Sequence, residues 1–361
     1  MSKRILYVAA TTSRLYHEML PFMEMMSEKG YIVEAAACPD QSGIYLLNQR
    51  CLQAFHPIGP TARICSRNAC RAYRKIKELL AGNPYQLIHT NDTALSFLVR
   101  IAARKHPDTK IVYMAHGLGF YRDAPLGKYL GQYPAESIAS RFTEEMVTLN
   151  LEDFITAKDA FPRTRVHYIP SAGIDLDAYQ PMQYMRAGYK VILCMGELTR
   201  EKNQRQILQS IVHLKGMTKG FKVWFVGEGP MLGHYQTLAR RLGIDDYVEW
   251  LGFRRDIKTL LYKSDIAVSA SRREGVSRGL LMAMACAKPV VATDIRGHRE
   301  LIAEGVNGYA APTGDAKAFA CACAKLMTHP DLLQMGAASR IMSLKYDLEY
   351  VKQRMAYIYG V

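Results

Sequence analysis

The stretch KVILCM, residues 190–195, is a short apolar run that restarts a pattern already present in the first half of the chain. Runs of this kind alternate with helical patterns throughout. They lie at 4–10, 31–37, 86–89, 110–115, 146–149 and 166–169 before it, and at 222–226, 247–250, 266–270 and 289–292 after it. Nearly continuous apolar strands separated by helices are typical of parallel sheets covered on both faces. The sequence therefore predicts an α/β chain with two doubly wound, Rossmann-like domains.

A polar stretch, DAYQPMQYMRAGY at 177–189, separates the two series of strands. A chain of 361 residues also exceeds what one hydrophobic core usually serves. We therefore predict an N-terminal domain at 1–180 and a C-terminal domain at 181–344, with a Tyr-rich helix at about 345–361 packing back onto the first. Ligands of such sheets bind beyond the carboxyl ends of the strands, so two facing domains would form a central cleft.

The formal net charge of +14 indicates an anionic partner. Nucleic acid would satisfy this charge, but the sequence has no recognisable binding module and no interleaving of aromatic and basic residues. Phosphorylated substrates and an anionic membrane surface are the remaining candidates.

The eight cysteines have no His/Cys partners at zinc spacing, so we expect reduced thiols. The first apolar stretch is too short for a signal peptide, and no run approaches 18 apolar residues, which predicts a cytoplasmic protein.

Four loops that follow strands of the second half carry glycine and polar residues. They are GELTREKNQ (196–204), GEGP (227–230), GFRRDI (252–257) and SRREGVS (271–277). Glycines at strand ends mostly make tight turns, so one such loop alone would be a weak signal. A helix N-terminus beside a lysine, however, suits a diphosphate. Four such loops at one sheet edge therefore indicate a binding site.

These motifs together resemble a family 4 glycosyltransferase of the GT-B fold, over the whole chain. The N-terminal half is similar to a bacterial capsule and exopolysaccharide branch, through AHGLGFYRDAPLGKY (115–129), YPAESIASRFTE (133–144) and LNLEDF (149–154). The C-terminal half carries the four loops and KPVVATDIRGHREL (288–301). The resemblance implies a C-terminal domain that holds a nucleotide-sugar, commonly a UDP-sugar, and an N-terminal domain that holds the acceptor.

The resemblance also assigns roles to single residues. Glu274 stands at the first Glu of the family's E-x7-E motif and would bond hydroxyls of the donor sugar. Lys202 matches the phosphate-binding lysine, and His116, in AHG, matches a histidine that borders donor sugar and acceptor. These three are the expected catalytic residues, although His116 could also be a packed strand-end histidine. Gly252 and Phe253 would lie by the nucleobase, and the backbone amides of Val276 and Ser277 would bind the diphosphate. The remaining expected donor-binding residues are Arg200, Gly275 and Met282.

Three positions depart from the family pattern. Met282 replaces the second Glu of E-x7-E, which is a ribose ligand, and Glu197 stands where an arginine is common. The first loop, ATTSRLYHE at 10–18, lacks the usual glycines. These departures bear on donor affinity and on nucleotide identity. For His298 and Glu300, in RGHREL, a structural role and a donor-loop role both remain open.

The resemblance implies retention of anomeric configuration, without a required protein base. The letters DLD at 175–177 match a metal-binding D-x-D motif, but they lie in the stretch between the domains. We therefore expect neither a metal nor another cofactor.

The expected activity moves a sugar, with an N-acetylhexosamine as one candidate, to a polyprenyl-diphosphate-linked glycan in surface polysaccharide biosynthesis. The alternative is a weakly active or non-catalytic GT-B partner protein, which Met282 favours and the three catalytic residues oppose.

The segment ARICSRNACRAYRKIKELL, at 62–80, places basic residues along one helical stripe. The stripe comprises Arg63, Arg67, Arg71 and Arg74 or Lys75. A basic stripe beside apolar residues suits an anionic membrane surface, and would place the protein on the inner face of the plasma membrane. A solvated helix face is the other interpretation.

Overall fold

The computed structural model describes residues 3–40, 43, 49–61, 64–120, 126–182 and 188–361. Arg63 and part of the polar stretch between the domains lie outside the described residues, as do residues 121–125 of the first family motif. The chain forms two compact units. Unit 1 consists of Met1–Ala172 and Glu349–Val361, and unit 2 of Gly173–Leu348.

Thirteen strands and fourteen α-helices are found in the described residues. The strands are β1 (Arg4–Thr11), β2 (Ile32–Cys38), β3 (Leu52–Pro57), β4 (Leu87–Asn91), β5 (Lys110–Ala115), β6 (Glu145–Thr148), β7 (Arg165–Tyr168), β8 (Lys190–Met195), β9 (Phe221–Val226), β10 (Val248–Gly252), β11 (Ile266–Ser269), β12 (Val290–Thr293) and β13 (Gly308–Ala311). The helices are α1 (Thr12–Arg14), α2 (Leu20–Glu28), α3 (Arg67–Gly82), α4 (Thr93–Ala103), α5 (Leu126–Ser140), α6 (Leu151–Ala160), α7 (Gln204–Leu214), α8 (Leu232–Leu242), α9 (Ile257–Lys263), α10 (Arg278–Ala285), α11 (Arg296–Arg299), α12 (Ala316–Met327), α13 (Leu332–Ser343) and α14 (Leu348–Tyr359).

Unit 1 is built on a seven-stranded sheet in the order β3-β2-β1-β4-β5-β6-β7. Its strands pair in parallel, with Tyr7 opposite both Ala35 and His89. The apolar residues of α3 and α4 pack on one face of this sheet in a single cluster with Leu6, Val8 and Ile88. The strand order changes direction between β1 and β4, so the carboxyl ends of these two strands mark the switch point of unit 1.

Unit 2 is built on a six-stranded parallel sheet in the order β10-β9-β8-β11-β12-β13. Apolar clusters cover both of its faces, one containing Ile192 and Phe225 and the other Leu193 and Trp224. This strand order has its switch point between β8 and β11. The sequence-based prediction of two doubly wound, Rossmann-like sheets is thus confirmed.

The change from unit 1 to unit 2 lies at Ala172/Gly173, eight residues before the boundary predicted at 180/181. The reason is packing, because Ile174 and Leu176 are buried in a core cluster of unit 2. The Arg340 guanidinium also donates hydrogen bonds to the carbonyls of Leu176 and Tyr179, at 3.3 and 3.0 Å. The polar stretch therefore begins inside unit 2 rather than between the units.

The last helix, α14, begins at Leu348, where about 345 was predicted, and it belongs to unit 1 from Glu349 onward. It buries Val351, Met355 and Ile358 together with Tyr359. The Tyr359 hydroxyl hydrogen-bonds the Nδ1 of His89, and burial lowers the pKa of His89 to about 3. The chain end is therefore anchored on β4. Across the described residues, no helix has the length and apolar character needed to span a membrane.

Candidate functional site

Three of the four predicted loops are joined by backbone hydrogen bonds at the carboxyl edge of the unit 2 sheet. The amide of Leu198 donates to the Glu228 carbonyl at 2.9 Å, and the amide of Gly227 donates to the Gly252 carbonyl at 2.8 Å. Gly227 has a φ of +134°, and a Cβ there would lie 2.2 Å from the carbonyl oxygen of Gly196. Only glycine permits this close approach of loop 227–230 to loop 196–204.

The fourth loop is joined to the first across the switch point. The Asn203 side chain donates to the Ala270 carbonyl at 3.1 Å, and the Arg272 amide donates to the Glu201 carbonyl at 2.8 Å. Asn203 has a φ of +52°, in the left-handed region that asparagine tolerates better than most residues. These contacts fix the residue before Asn203, which is Lys202, beside the loop that carries Glu274.

Lys202 and Glu274 form an ion pair, with 2.7 Å between Nζ and Oε1. Ser271 donates a second hydrogen bond to the same carboxylate oxygen. The Glu274 side chain is only 7% exposed, whereas Lys202 is about one-third exposed. Burial alone would raise the pKa of Glu274, but the charge of Lys202, followed by the charge that His298 gains in acid and the hydrogen bonds from Lys202 and Ser271, lowers it to about 2. Glu274 is therefore an ionised acceptor at neutral pH.

Helix α10 begins directly after this pair. Ser277 is its N-cap residue and makes no capping bond with its side chain. The first amides of any helix lack intrahelical acceptors and carry a partial positive charge, which suits an anion. A Cβ at Gly279 would lie 3.2 Å from the Met195 carbonyl, so the first turn of α10 packs on the end of β8. A cation, a carboxylate and a helix N-terminus thus meet at the switch point of unit 2.

The other predicted donor-binding residues lie on the same four loops or on α10. Arg200 and Phe253 are exposed, and Gly252 ends β10 with a φ of +62°. Met282 is half-buried and packs with Val276 against an apolar cluster. Gly275 and Ser277 are buried in the Glu274 loop. The assignment of all these residues to a donor remains a prediction.

His116 lies in unit 1, directly after β5. Its Nε2 is 3.2 Å from the Glu18 carboxylate, and Glu18 lies on a π-helical turn, Leu15–Met19. Such turns are frequent at functional sites. Arg14, one turn earlier, pairs with Asp92 at 2.9 Å. The sequence singled out the first loop only for its missing glycines, and not for these charged residues.

The DLD motif has a local structural role in unit 2. The Asp175 carboxylate accepts a hydrogen bond from the Ala178 amide at 2.7 Å, which closes a turn. Leu176, between the two aspartates, is buried, while both aspartates are exposed. Within the described ranges, no group of three or more His, Cys, Asp or Glu residues is arranged to hold a metal ion.

Sequence reasoning missed the small residues that support the ion pair. Thr293, at the end of β12, donates from Oγ1 to the Ser271 carbonyl at 2.6 Å. Gly297 in α11 approaches the carbonyls of Glu274 and Gly275 so closely that a Cβ would lie within 2.4 and 2.7 Å of them. Serine, threonine and glycine are common in every loop, so their role depends on contacts that the sequence does not display.

Matches to known proteins make this chain a glycosyltransferase. Two family models match, glycosyl transferase 4-like at residues 4–150 and glycosyl transferases group 1 at residues 189–329. EpsD of Bacillus subtilis, described as a glycosyltransferase, is 31% identical over 376 residues, covering 100% of this chain and 97% of EpsD. The UDP-Gal:α-D-GlcNAc-diphosphoundecaprenol α-1,3-galactosyltransferase of Escherichia coli is 26% identical over 263 residues, covering 67% of this chain and 66% of that protein.

Among solved structures, Anabaena HepE in complex with UDP and glucose superposes with a TM-score of 0.79 at 18% identity, covering 99% of each chain. The likeness confirms the predicted GT-B fold. With the fold and the relatives together, the chain belongs to the family 4 glycosyltransferases.

Proposed function

We propose that this chain is a retaining glycosyltransferase that moves a hexose or N-acetylhexosamine from a UDP-sugar to a glycan on polyprenyl diphosphate, in surface polysaccharide biosynthesis. The observation that carries the proposal is the Lys202–Glu274 ion pair at the switch point of unit 2. The E. coli relative, which is named for transfer from UDP-Gal to a diphosphoundecaprenol-linked GlcNAc, supports the choice of donor and acceptor. HepE, solved with UDP and glucose, supports the nucleotide.

The site suits both the sugar and the diphosphate of a nucleotide-sugar. Breaking the bond between sugar and diphosphate develops negative charge on the leaving group, and fixed cations and dipoles stabilise such charge best. Lys202 and the N-terminus of α10 would supply both. Glu274, ionised and buried, would accept hydrogen bonds from sugar hydroxyls, as a carboxylate can accept several. In this proposal Lys202 contacts both the diphosphate and the Glu274 carboxylate.

The direct test is UDP release by purified protein with four donors, UDP-glucose, UDP-galactose, UDP-GlcNAc and UDP-GalNAc, in the presence of a polyprenyl-diphosphate-linked sugar. Release that depends on the acceptor supports the proposal. Binding of UDP without turnover with any acceptor would instead favour the non-catalytic partner protein, for which Met282 is the specific observation. Absence of both binding and turnover would contradict the proposed donor site itself.

Activity is expected to survive removal of divalent metal, because Lys202 and the α10 amides would neutralise the charge of the diphosphate. After exhaustive treatment with EDTA, the turnover rate should stay within about twofold of the untreated rate. The Asp175→Asn variant should behave in the same way. The contrary outcome is that EDTA abolishes activity and manganese restores it in wild type but not in Asp175→Asn. That outcome would make the DLD motif a metal site.

The basic stripe on α3 is expected to hold the enzyme on anionic membranes by charge alone. Its apolar residues Ala69, Ala72, Ile76 and Leu80 are buried in the core, whereas Arg67, Arg71, Arg74 and Lys75 are exposed. Each basic residue near an anionic surface contributes about 1 kcal/mol, screened by salt. Co-sedimentation with phosphatidylglycerol vesicles should therefore fall with added salt and in the Arg67→Glu/Arg71→Glu variant.

A matched control is Arg240→Glu/Arg241→Glu on α8, because both positions are exposed and the net charge changes equally. This control should keep most of the vesicle binding. Equal losses in the two double variants would mean that only net charge matters, and binding that ignores both salt and substitution would leave the stripe a solvated helix face.

A further inference from the structure

His298 is a fully buried histidine that lies beside the Glu274 loop. It belongs to α11, the short helix after β12. The residue before it, Gly297, packs on the backbone of Glu274 and Gly275, where a Cβ would lie within 2.4 and 2.7 Å of their carbonyl oxygens. The helix and the loop are therefore in direct contact, and a larger residue at 297 would force them apart.

The hydrogen bonds of His298 define which ring nitrogen carries its proton. Nδ1 lies 2.9 Å from the carbonyl oxygen of Thr293, and a carbonyl oxygen only accepts hydrogen bonds. Nδ1 must therefore be the donor. Burial lowers the pKa of His298, and the neighbouring Glu274 charge offsets this effect only in part. The ring is neutral at pH 7, with its lone pair on Nε2.

The Nε2 atom is buried and, in the part of the chain that the structure describes, has no hydrogen-bond partner. A buried polar atom without a partner is costly, and such atoms in native proteins usually bond a water or a ligand. Glu274 cannot serve as the partner because a carboxylate also only accepts. The Lys202 ammonium has three donors, but its bond in this site goes to Glu274, and among the described residues none reaches Nε2.

Two hydrogen-bond acceptors thus lie on adjacent elements. One is the charged carboxylate of Glu274, and the other is the neutral Nε2 of His298. A diphosphate offers only acceptors, so it cannot bond either of them at neutral pH. A hydroxyl group, or the N–H of an acetamido group, can donate to either of them, so two neighbouring groups of a sugar can bond both. The chemistry of the pair therefore fits the sugar end of a nucleotide-sugar and not its phosphates.

We propose that Nε2 of His298 accepts a hydrogen bond from a hydroxyl or amide N–H of the donor sugar, next to the group held by Glu274. The proposal rests on the proposed donor site. Thr293 supports both residues, since its carbonyl fixes the His298 ring and its hydroxyl bonds the Ser271 carbonyl, while Ser271 bonds Glu274. His298 and Glu274 would together select the sugar that is transferred.

The test compares UDP with the UDP-sugar that wild type binds most tightly, by titration calorimetry. His298→Asn keeps an N–H near the Nδ1 position and removes Nε2. It should weaken binding of the UDP-sugar about tenfold, the effect of one hydrogen bond, and leave UDP binding within twofold. His298→Gln carries an amide oxygen near the Nε2 position and should recover part of the loss. Thermal unfolding of both variants verifies that they are folded.

Monodeoxy analogues of the preferred donor provide a second measurement, made with wild-type protein and with the variants. One deoxy position should lose its effect on binding in Glu274→Ala. A different deoxy position should weaken binding to wild type about tenfold relative to the parent donor, and this penalty should vanish in His298→Asn. Equal losses of UDP and UDP-sugar affinity in His298→Asn, or no loss of either, would overturn the role of His298. Wild-type protein that binds neither UDP nor any UDP-sugar would overturn the proposed donor site instead.

Discussion

Replacing Glu274 with alanine should lower kcat by roughly 100- to 1,000-fold, the effect of removing one aimed polar group from a transition state. The carboxylate is buried and ionised and is bonded to Lys202 and Ser271, so its position is fixed before the donor arrives. The measurement is steady-state UDP release with the preferred donor. Asp245→Ala is the control, because Asp245 is an exposed acid that precedes β10 at the opposite edge of the same sheet.

The ion pair makes the effects of Glu274 and Lys202 dependent on each other. Lys202→Ala removes the proposed phosphate contact and also leaves Glu274 without its cation. The double variant should therefore lose much less activity than the product of the two single losses, because residues in contact are not additive. Lys215→Ala removes an equal charge just beyond the far end of α7, an 11-residue helix of about 16 Å that begins two residues after Lys202, and it should leave kcat unchanged.

The pH profile gives an independent view of this pair. Lys202 is the strongest of the influences that lower the pKa of Glu274 to about 2. Its loss should raise that pKa, so the activity of Lys202→Ala should fall at a higher pH on the acid side than that of wild type. Kinetics like those of wild type in both single variants would remove this pair from the active site. Clear single losses that simply add in the double variant would mean that the two residues act independently of each other.

Much of the fold was predictable because its strands are buried on both faces. Eleven of the thirteen strands were predicted as apolar runs, and the two missed were β3 and β13. Both lie at sheet edges. β3 is partly exposed along its whole length and ends in proline, and β13 has four residues and begins with glycine. A partly buried strand at a sheet edge needs no continuous apolar run, so its sequence resembles that of a loop.

The candidate site was predictable as loops but not as contacts. Lys202 and Glu274 each follow a strand, and the order of the sheet makes those two strands neighbours. The sequence assigned one residue to phosphate and the other to sugar, and gave no sign that they bond each other. His298 shows the same limit, because its free Nε2 depends on which nitrogen faces Thr293. A residue type alone does not specify a tautomer.

Discrimination against a 2′-deoxyribose donor is expected to be weak, because of Met282. A carboxylate at this position would accept bonds from the ribose hydroxyls, whereas a thioether is a feeble acceptor. A hydrogen bond to a charged group contributes about 1.5–3 kcal/mol, or roughly 10- to 150-fold. The wild-type ratio of kcat/KM for UDP-sugar over its 2′-deoxyuridine analogue should therefore lie below about 10.

Met282→Glu should raise that ratio into the range of roughly 10- to 150-fold. The substitution is feasible because Met282 is only half-buried, on the rim of an apolar cluster, so a carboxylate there can keep contact with water. Met282→Leu is the matched control, since it preserves the apolar packing at a similar volume and adds no acceptor. Leucine should leave the ratio as in wild type. A wild-type enzyme that already rejects the deoxy donor by about 100-fold would mean that another side chain binds the ribose, and Met282 would then serve only to pack α10 against the apolar cluster beneath it.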